Sequence, residues 1–392
     1  MAVSPEFQSP EFQTPEGRAK EQLACLNHIL EPGEALQSLD DLATLPVLRK
    51  SDLVALQGEN PPLGGVKTGD ITRLFQSPGP IYEPGGSGHD WWRFGAFLRA
   101  SGIGAGDIVQ NTFAYHFTPA GAMFDNAAIS AGAQVFPAGP GQSSDQARVA
   151  AHIGTTVYSG TPDFLAVILA KGDELGLDLS RLTKAAVSAG PLFPQMRADY
   201  AARGITTRQC YATADVGMIA YESDALEGMI VDDGCLVEIV TPGTGTPVAT
   251  GEVGEVLVTV LNPDYPLIRF ATGDLSSILP GASPCGRTNT RITGWKGRAD
   301  QATKVRGMFI RPEQVAALRE RHPEIVKARI EVTLEGTTDR IALLVETEGE
   351  DLSSIEASAR EILKLRASVE AVKPGDLPND GVVVADKRPL DT

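Results

Sequence analysis

The sequence predicts an α/β protein: a large N-terminal domain with mainly parallel sheets and a β-rich subdomain, followed by a small α+β C-terminal lid domain. Three observations carry this. The chain has 392 residues, and single hydrophobic cores stop growing beyond ~250–300 residues. Its middle alternates short β-branched runs with helical patterns, the texture of βαβ units. From about Asp232 the helical patterns give way to strands punctuated by Pro and Gly, and a third texture begins just after residue 296. The expected domains are therefore 1–296, with a helical arm at 1–37 and the β-rich part at 232–296, and a mobile lid at 297–392.

The elements follow in order. Ser4-Pro-Glu-Phe-Gln, Ser9-Pro-Glu-Phe-Gln and Thr14-Pro-Glu repeat with neither a helical nor a strand period, and read as a loose arm. Leu23, Leu26 and Leu30 predict an amphipathic helix over 17–30, and a second short helical stretch runs from Ser38 to Leu48, just before Arg49-Lys50. Strands are expected at 107–112, 134–137, 156–158, 184–188 and 206–210, with helices at 144–152 and 162–175 between them. In such sheets ligands lie outside the carboxyl ends of the strands. Beyond Asp232, strands are expected at 236–240, 254–260 and 267–270. The last region reads as a helix from Pro312, strands at 328–334 and 340–346, a helix at 352–365 and a strand at 369–372.

Composition excludes several classes. The apolar share is 42% and the charged share 21%, as in globular proteins. No apolar run approaches the ~20 residues of a membrane helix, and no secretory signal pattern opens the chain. The net charge of −16 repels nucleic acid and anionic membranes. Cys25, Cys210, Cys235 and Cys285 form no CxxC pair, which argues against a disulfide framework and suits a reducing cytoplasm.

Three segments point to chemistry. In Tyr211-Ala-Thr-Ala-Asp-Val-Gly217 a strand exit offers an exposed aromatic for a purine and a carboxylate for phosphate-bound Mg²⁺; the plainer reading is a buried Tyr and a turn-capping Asp. In Tyr265-Pro-Leu-Ile-Arg-Phe-Ala-Thr-Gly-Asp274 the final carboxylate is suited to accept both ribose hydroxyls, or else sits in an ordinary Gly turn. In the third, spanning 283–312, Arg298 can reach a ribose or α-phosphate, and Asp300 lies where the β-rich part hands over to the lid.

In this order and spacing the segments resemble the adenylate-forming superfamily, and within it the phenylacetate–coenzyme A ligase family. The stretches "SPCGRTNTRITGWKGRADQATKVRGMFIRPEQV" (283–315) and "LATLPVLRKSDL" (42–53) carry the resemblance most strongly, and it extends from about residue 42 to the end. It implies an ATP-dependent ligase that makes an acyl-adenylate from an aromatic or apolar carboxylic acid and transfers the acyl group to coenzyme A. Position by position, it implies that Ser188-Ala189-Gly190-Pro191 flanks the adenine, with Gly190 where the family usually has Glu. Tyr211 would stack on the base, beside Ala212, Thr213 and Ala214, and Asp215 would bind Mg²⁺ in place of the more common Glu. Asp274 would hold the ribose with support from Arg298. Asp300 would be the lid hinge, and the thiol step would use the lid face near Lys304 and Gly307. Phe113, Tyr115 and Phe164 would line the acyl pocket, or be plain core. The cofactors implied are ATP, Mg²⁺ and coenzyme A; a homodimer is the default state.

The chain departs from the family in three places. The phosphate loop reads Ser77-Pro-Gly-Pro-Ile-Tyr-Glu-Pro-Gly-Gly-Ser87. Ser77 and Gly79 remain, but the hydroxyl pair and the Lys do not, Glu83 sits near the missing cation, and prolines remove N–H donors that such a loop offers a phosphate. The lid's terminal Leu-Pro-x-x-Gly-Lys reads Leu377-Pro-Asn-Asp-Gly-Val382. Losing such a charge costs on the order of 3 kcal/mol of barrier, unless Lys387 replaces it through a slip of the last strand. The places of a structural zinc site are Ser223, Met229, Ser283 and Cys285, and one thiolate cannot close a tetrahedral site, so no zinc is expected. These departures keep two alternatives open: adenylation with transfer to an amine, and a catalytically impaired nucleotide- or acyl-binding homologue.

Overall fold

The computed structural model describes residues 13–31, 33–78, 80–190, 192–296, 299, 303–306, 308–310, 312–336, 338–349, 351–378 and 382–389. The chain divides into two compact units, Met1–Trp295 and Lys296–Thr392, one residue from the division expected above.

The N-terminal unit is built on a nine-stranded mixed sheet. Five strands, in the order Gln134–Pro137, Ile108–Asn111, Val157–Gly160, Lys184–Val187 and Thr206–Thr213, are parallel; Gly217–Tyr221, Met229–Val231, Arg291–Ile292 and Ile278–Leu279 continue it antiparallel. Helices Ala120–Ser130, Ser143–Ile153, Pro162–Glu174 and Pro194–Ala202 connect the parallel strands. Pro162 and Pro194 open their helices where the missing N–H costs nothing. Ile108–Asn111 lies between Gln134–Pro137 and Val157–Gly160, so the strand order reverses there. Such a reversal opens a crevice at the carboxyl ends.

A second sheet takes the order Leu48–Arg49, Phe270–Ser276, Gly254–Val260 and Cys235–Val240. A hairpin pairs Arg73–Ser77 with Ile81–Gly85, Phe75 opposite Glu83 and Ser77 opposite Ile81.

Two expectations are corrected here. Ser38–Leu48 is not one helical stretch: a 3₁₀ turn at Leu39–Thr44, held by Asp41 accepting from the Gln37 and Ser38 N–H groups, stops at Leu45. Leu45 precedes Pro46 and is forced into an extended conformation (ψ 153°). The chain then adds Leu48–Arg49 to the second sheet, and a helix begins at Lys50. The strand expected at 267–270 instead runs over Phe270–Ser276. It starts late because Arg269 sits at φ 46°, while its guanidinium forks onto Glu238 (2.9 Å on both nitrogens) and donates to the Ala43, Leu45 and Gly245 carbonyls.

The C-terminal unit is a four-stranded sheet in the order Ser368–Val372, Thr338–Glu346, Lys327–Glu335 and Val384–Asp386, with a two-stranded ribbon, Thr303–Val305 and Met308–Ile310. Helices Pro312–Arg321 and Ser353–Leu363 accompany it. Its core gathers Val315, Leu318, Ile330, Val332, Leu343, Val345 and Ile355.

Candidate active site

Most of the expected N-terminal site residues stand just beyond the carboxyl ends of adjacent parallel strands. Phe113 and Tyr115 follow Ile108–Asn111, Phe164 follows Val157–Gly160, Ala189 and Gly190 follow Lys184–Val187, and Tyr211 to Asp215 close Thr206–Thr213. These exits are tied together: the Ser188 hydroxyl donates to the Cys210 carbonyl at 3.0 Å. Ala189 is held at φ 62°, a conformation that costs a non-glycine residue of order 1–2 kcal/mol. The turn after Asp215 needs Gly217, at φ 75°, where an added Cβ would meet the Trp92 carbonyl oxygen at 2.9 Å.

Tyr211 is buried, as in the plainer of the two sequence readings and unlike the exposed aromatic of the other. It packs in the core with Val216, Tyr265 and Phe270. Its hydroxyl donates to Asp274 Oδ2 at 2.8 Å, with Thr272 Oγ1 at 3.3 Å. Trp295 Nε1 donates to the other Asp274 oxygen at 3.0 Å, and the Asp274 N–H bonds Thr272 Oγ1. Asp274 therefore lies within a strand, its carboxylate fixed by two aromatic donors. The plainer sequence reading had placed it in an ordinary Gly turn. Ala212, Thr213 and Ala214 are half-buried.

A second group surrounds Asp215. Lys50, the first residue of the helix Lys50–Glu59, donates to Asp215 Oδ2 at 2.9 Å. Asp215 Oδ1 is buried and finds no hydrogen-bond partner among the described residues, and an orphaned carboxylate oxygen of this kind suits a bound Mg²⁺. Glu83, 1% exposed, points both carboxylate oxygens into the protein without a partner of normal geometry among the described residues. Burial and then the Asp215 charge push its carboxyl up to about 7; Ser77, on the paired strand, and Lys50 only partly counter this. The same two carboxylates, after burial itself, push up the Tyr265 phenol.

The acyl-pocket candidates differ in character. Phe113 is buried with its ring stacked on Phe124 (centroids 4.6 Å apart). Tyr115 is partly exposed; it accepts from Asn111 Nδ2 at 2.8 Å and donates to Asp125 at 3.0 Å. Burial, followed by the Asp125 charge, raises its phenol. Phe164 is half-buried on the helix Pro162–Glu174.

Three of the four zinc-position residues, Ser223, Ser283 and Cys285, come together. Ser283 Oγ lies 3.0 Å from Cys285 Sγ. Burial acts to raise the Cys285 thiol, but hydrogen bonds from Ser223, Ser283 and Arg287 outweigh it and bring it down to about 7. Met229 is elsewhere, in the core with Tyr211.

In the C-terminal unit, Lys304 lies on the strand Thr303–Val305, its carbonyl accepting from Arg388 at 3.1 Å. Lys387 is paired with Glu331 at 2.6 Å, and its N–H donates to the Val332 carbonyl. The register Ile330↔Val384 to Val332↔Asp386 therefore opposes the slip that would bring it to position 382. Lys327 donates to the Pro378 carbonyl at 2.6 Å, bracing the Leu377-Pro378 segment. Gly79, Pro191, Arg298, Asp300 and Gly307 lie outside the described residues.

Sequence reading missed Lys50 as the Asp215 partner, and Thr272 and Trp295 as the Asp274 partners. Lys50 and Trp295 stand inside the two quoted family stretches, but no spacing rule connects positions 165 residues apart.

No protein-family model matches the chain. It is 29% identical over 329 residues to a phenylacetate-coenzyme A ligase of Aromatoleum evansii, covering 79% of this chain and 73% of that one. It is 29% identical over 342 residues to the Escherichia coli (strain K12) protein of the same name, covering 81% and 75%. These relatives bear out the resemblance carried by the motifs. Among solved structures, a 2-hydroxyisobutyryl-CoA ligase in complex with 2-HIB-AMP and CoA superposes with a TM-score of 0.78 at 23% identity, over 97% of this chain and 91% of that one. That likeness shows that the two chains share a fold.

Proposed function

We propose that the chain is an AMP-forming carboxylate–coenzyme A ligase acting on an aromatic or otherwise apolar acid. The observation that supports this most is the pairing of Tyr211 with Asp274 across 63 residues of sequence, at the same strand exit that presents Asp215. In this reading Tyr211 provides the adenine face. Asp274, oriented by Tyr211 and Trp295, accepts from the ribose. Arg298 supports the ribose, and Ser77, Gly79 and the 189–191 segment border the nucleotide.

The substrate carboxylate oxygen attacks the α-phosphorus and pyrophosphate leaves; the coenzyme A thiolate then attacks the acyl carbon and AMP leaves. Asp215, with its buried Oδ1 left without a partner among the described residues, would hold Mg²⁺, which would supply positive charge where negative charge develops on the phosphate. Asp300 pivots the second unit between the two steps, and Lys304 and Gly307 border the thiol. Phe113, Tyr115 and Phe164 shape the acyl pocket, with the aromatic or apolar preference resting on the kinship to phenylacetate-coenzyme A ligases.

Glu83 in the phosphate loop and Val382 in the lid favour a second reading, an impaired homologue that binds nucleotide without turning it over. Pyrophosphate release over a panel of aryl and alkyl acids, with and without coenzyme A, separates the two. Acid-dependent release with thioester formation is the expected result. Release captured by hydroxylamine without thioester points to an amine acceptor. No release with any acid, while nucleotide still raises the melting temperature, overturns the ligase reading.

A further inference from the structure

Glu83 puts an anion near the place where the family resemblance implies a cation, and does so where an anion is costly. It is 1% exposed, with both oxygens unpartnered among the described residues. Asp215, also buried, leaves Oδ1 unpartnered. The Glu83 carboxyl feels the Asp215 charge more strongly than it feels Lys50. When both carboxylates are ionised they leave a net charge of −1 against the one ammonium, and an unpaired buried charge persists only where something compensates it. The ammonium itself is the least enclosed member: the Lys50 side chain is 40% exposed, whereas that of Asp215 is 3% exposed. It can withdraw into water while Glu83 stays on its strand and Asp215 in the buried turn after Thr206–Thr213.

We propose that Glu83 and Asp215 form a divalent-cation site in which the Lys50 ammonium is the resident counter-ion, exchanged when Mg²⁺ or Mn²⁺ binds. Among the described residues no group of three or more His, Cys, Asp or Glu is arranged to hold a metal, so the protein supplies two oxygen-bearing groups and water or phosphate completes the shell. That division suits Mg²⁺, which keeps several waters and takes one or two carboxylates. The exchange converts a loop that would contact phosphates through its own cation into one that reaches them through a metal bound beforehand. Only this last consequence rests on the proposed nucleotide site; the metal site rests on the burial and unpartnered oxygens of Glu83 and Asp215 and on the Lys50–Asp215 contact at 2.9 Å.

The test is a Mn²⁺ titration of the full-length, metal-stripped chain followed by electron paramagnetic resonance, without nucleotide, acid or coenzyme A. The wild type is expected to show one saturable site. Glu83→Gln should weaken it at least about tenfold, the loss typical of removing one supporting group at a metal. Lys50→Met should tighten it, and Mn²⁺ should raise the melting temperature of that variant more than that of the wild type. Absence of saturable binding in the wild type overturns the proposal, as does a Glu83→Gln affinity equal to wild type, or weaker binding in Lys50→Met. Circular dichroism confirms that each variant is folded, and if Glu83→Gln does not fold, the Lys50→Met result decides. Mn²⁺ binding in a chain that releases no pyrophosphate leaves this inference standing and removes the ligase reading; the converse result does the opposite.

Discussion

A carboxyl raised to about 7 makes Glu83 a determinant of how stability responds to pH. Its ordinary value is 4.5, so between about 4.5 and 7 the folded chain retains a proton that the unfolded chain has released. Stability therefore falls as pH rises across that window, and the whole cost, on the order of 3 kcal/mol, is present above it. Glu83→Gln removes the ionisation and keeps the shape. In metal-free buffer its urea midpoint should exceed that of the wild type at pH 8, and the gap should close toward pH 5. A gap that stays constant from pH 5 to 8 would show that Glu83 titrates normally. Single side chains were also where the sequence was hardest to read. Asp215 and Asp274 were visible as carboxylates in promising segments, but their environments were not. Lys50 reaches Asp215 from 165 residues away. Tyr211 looked like an exposed stacking ring because an aromatic at a strand exit carries no mark of what packs over it.

Strands and helices were more legible where their period had room to show. The five parallel strands and two of the four helices between them were recognisable, because short β-branched or apolar runs bounded by turn signals mark a strand, whereas Ala120–Ser130 and Pro194–Ala202 were not singled out. Met229–Val231, Ile278–Leu279 and Arg291–Ile292 are two or three residues long, too short for alternation to appear, and only their neighbours make them strands. The Arg73–Ser77 and Ile81–Gly85 hairpin was read as a loop, since Pro78, Pro80 and Pro84 outweighed its apolar residues. The segment before Val384–Asp386 raises a functional question of the same order. Val382 stands where the family resemblance implies a lid lysine. Lys387 is tied to Glu331 at 2.6 Å, and Lys327 is engaged with the Pro378 carbonyl. Val382→Lys should therefore raise the rate of acid-dependent pyrophosphate release at least about tenfold, equivalent to about 1.4 kcal/mol of barrier. An unchanged rate, with the variant folded, would mean that the charge is supplied elsewhere or is not needed.

The division of the chain assigns the proposed chemistry to two separately cored bodies. Among the described residues, the packed clusters around Tyr211 and Phe113 contain none beyond Trp295, and the cluster around Ile330 and Leu343 contains none before Val305. The base, ribose and metal contacts proposed here, Tyr211, Asp274 and Asp215, all belong to the first body, together with the Trp295 that orients Asp274. Arg298, Asp300, Lys304, Gly307 and the Leu377–Val382 segment belong to the second. A chain ending at Trp295 should thus fold cooperatively and still be stabilised by adenine nucleotide, because what it loses is a group of contacts made in the reaction rather than those that hold the base. Its pyrophosphate release should fall by two orders of magnitude or more, as roughly 10²–10³ is lost with a single preorganised charge contact. Thermal melts with and without AMP measure the first expectation and a coupled pyrophosphate assay the second. Nucleotide that stabilises the full chain but not the truncated one would place the base and ribose contacts in the second unit, and Tyr211 and Asp274 would lose the role assigned to them.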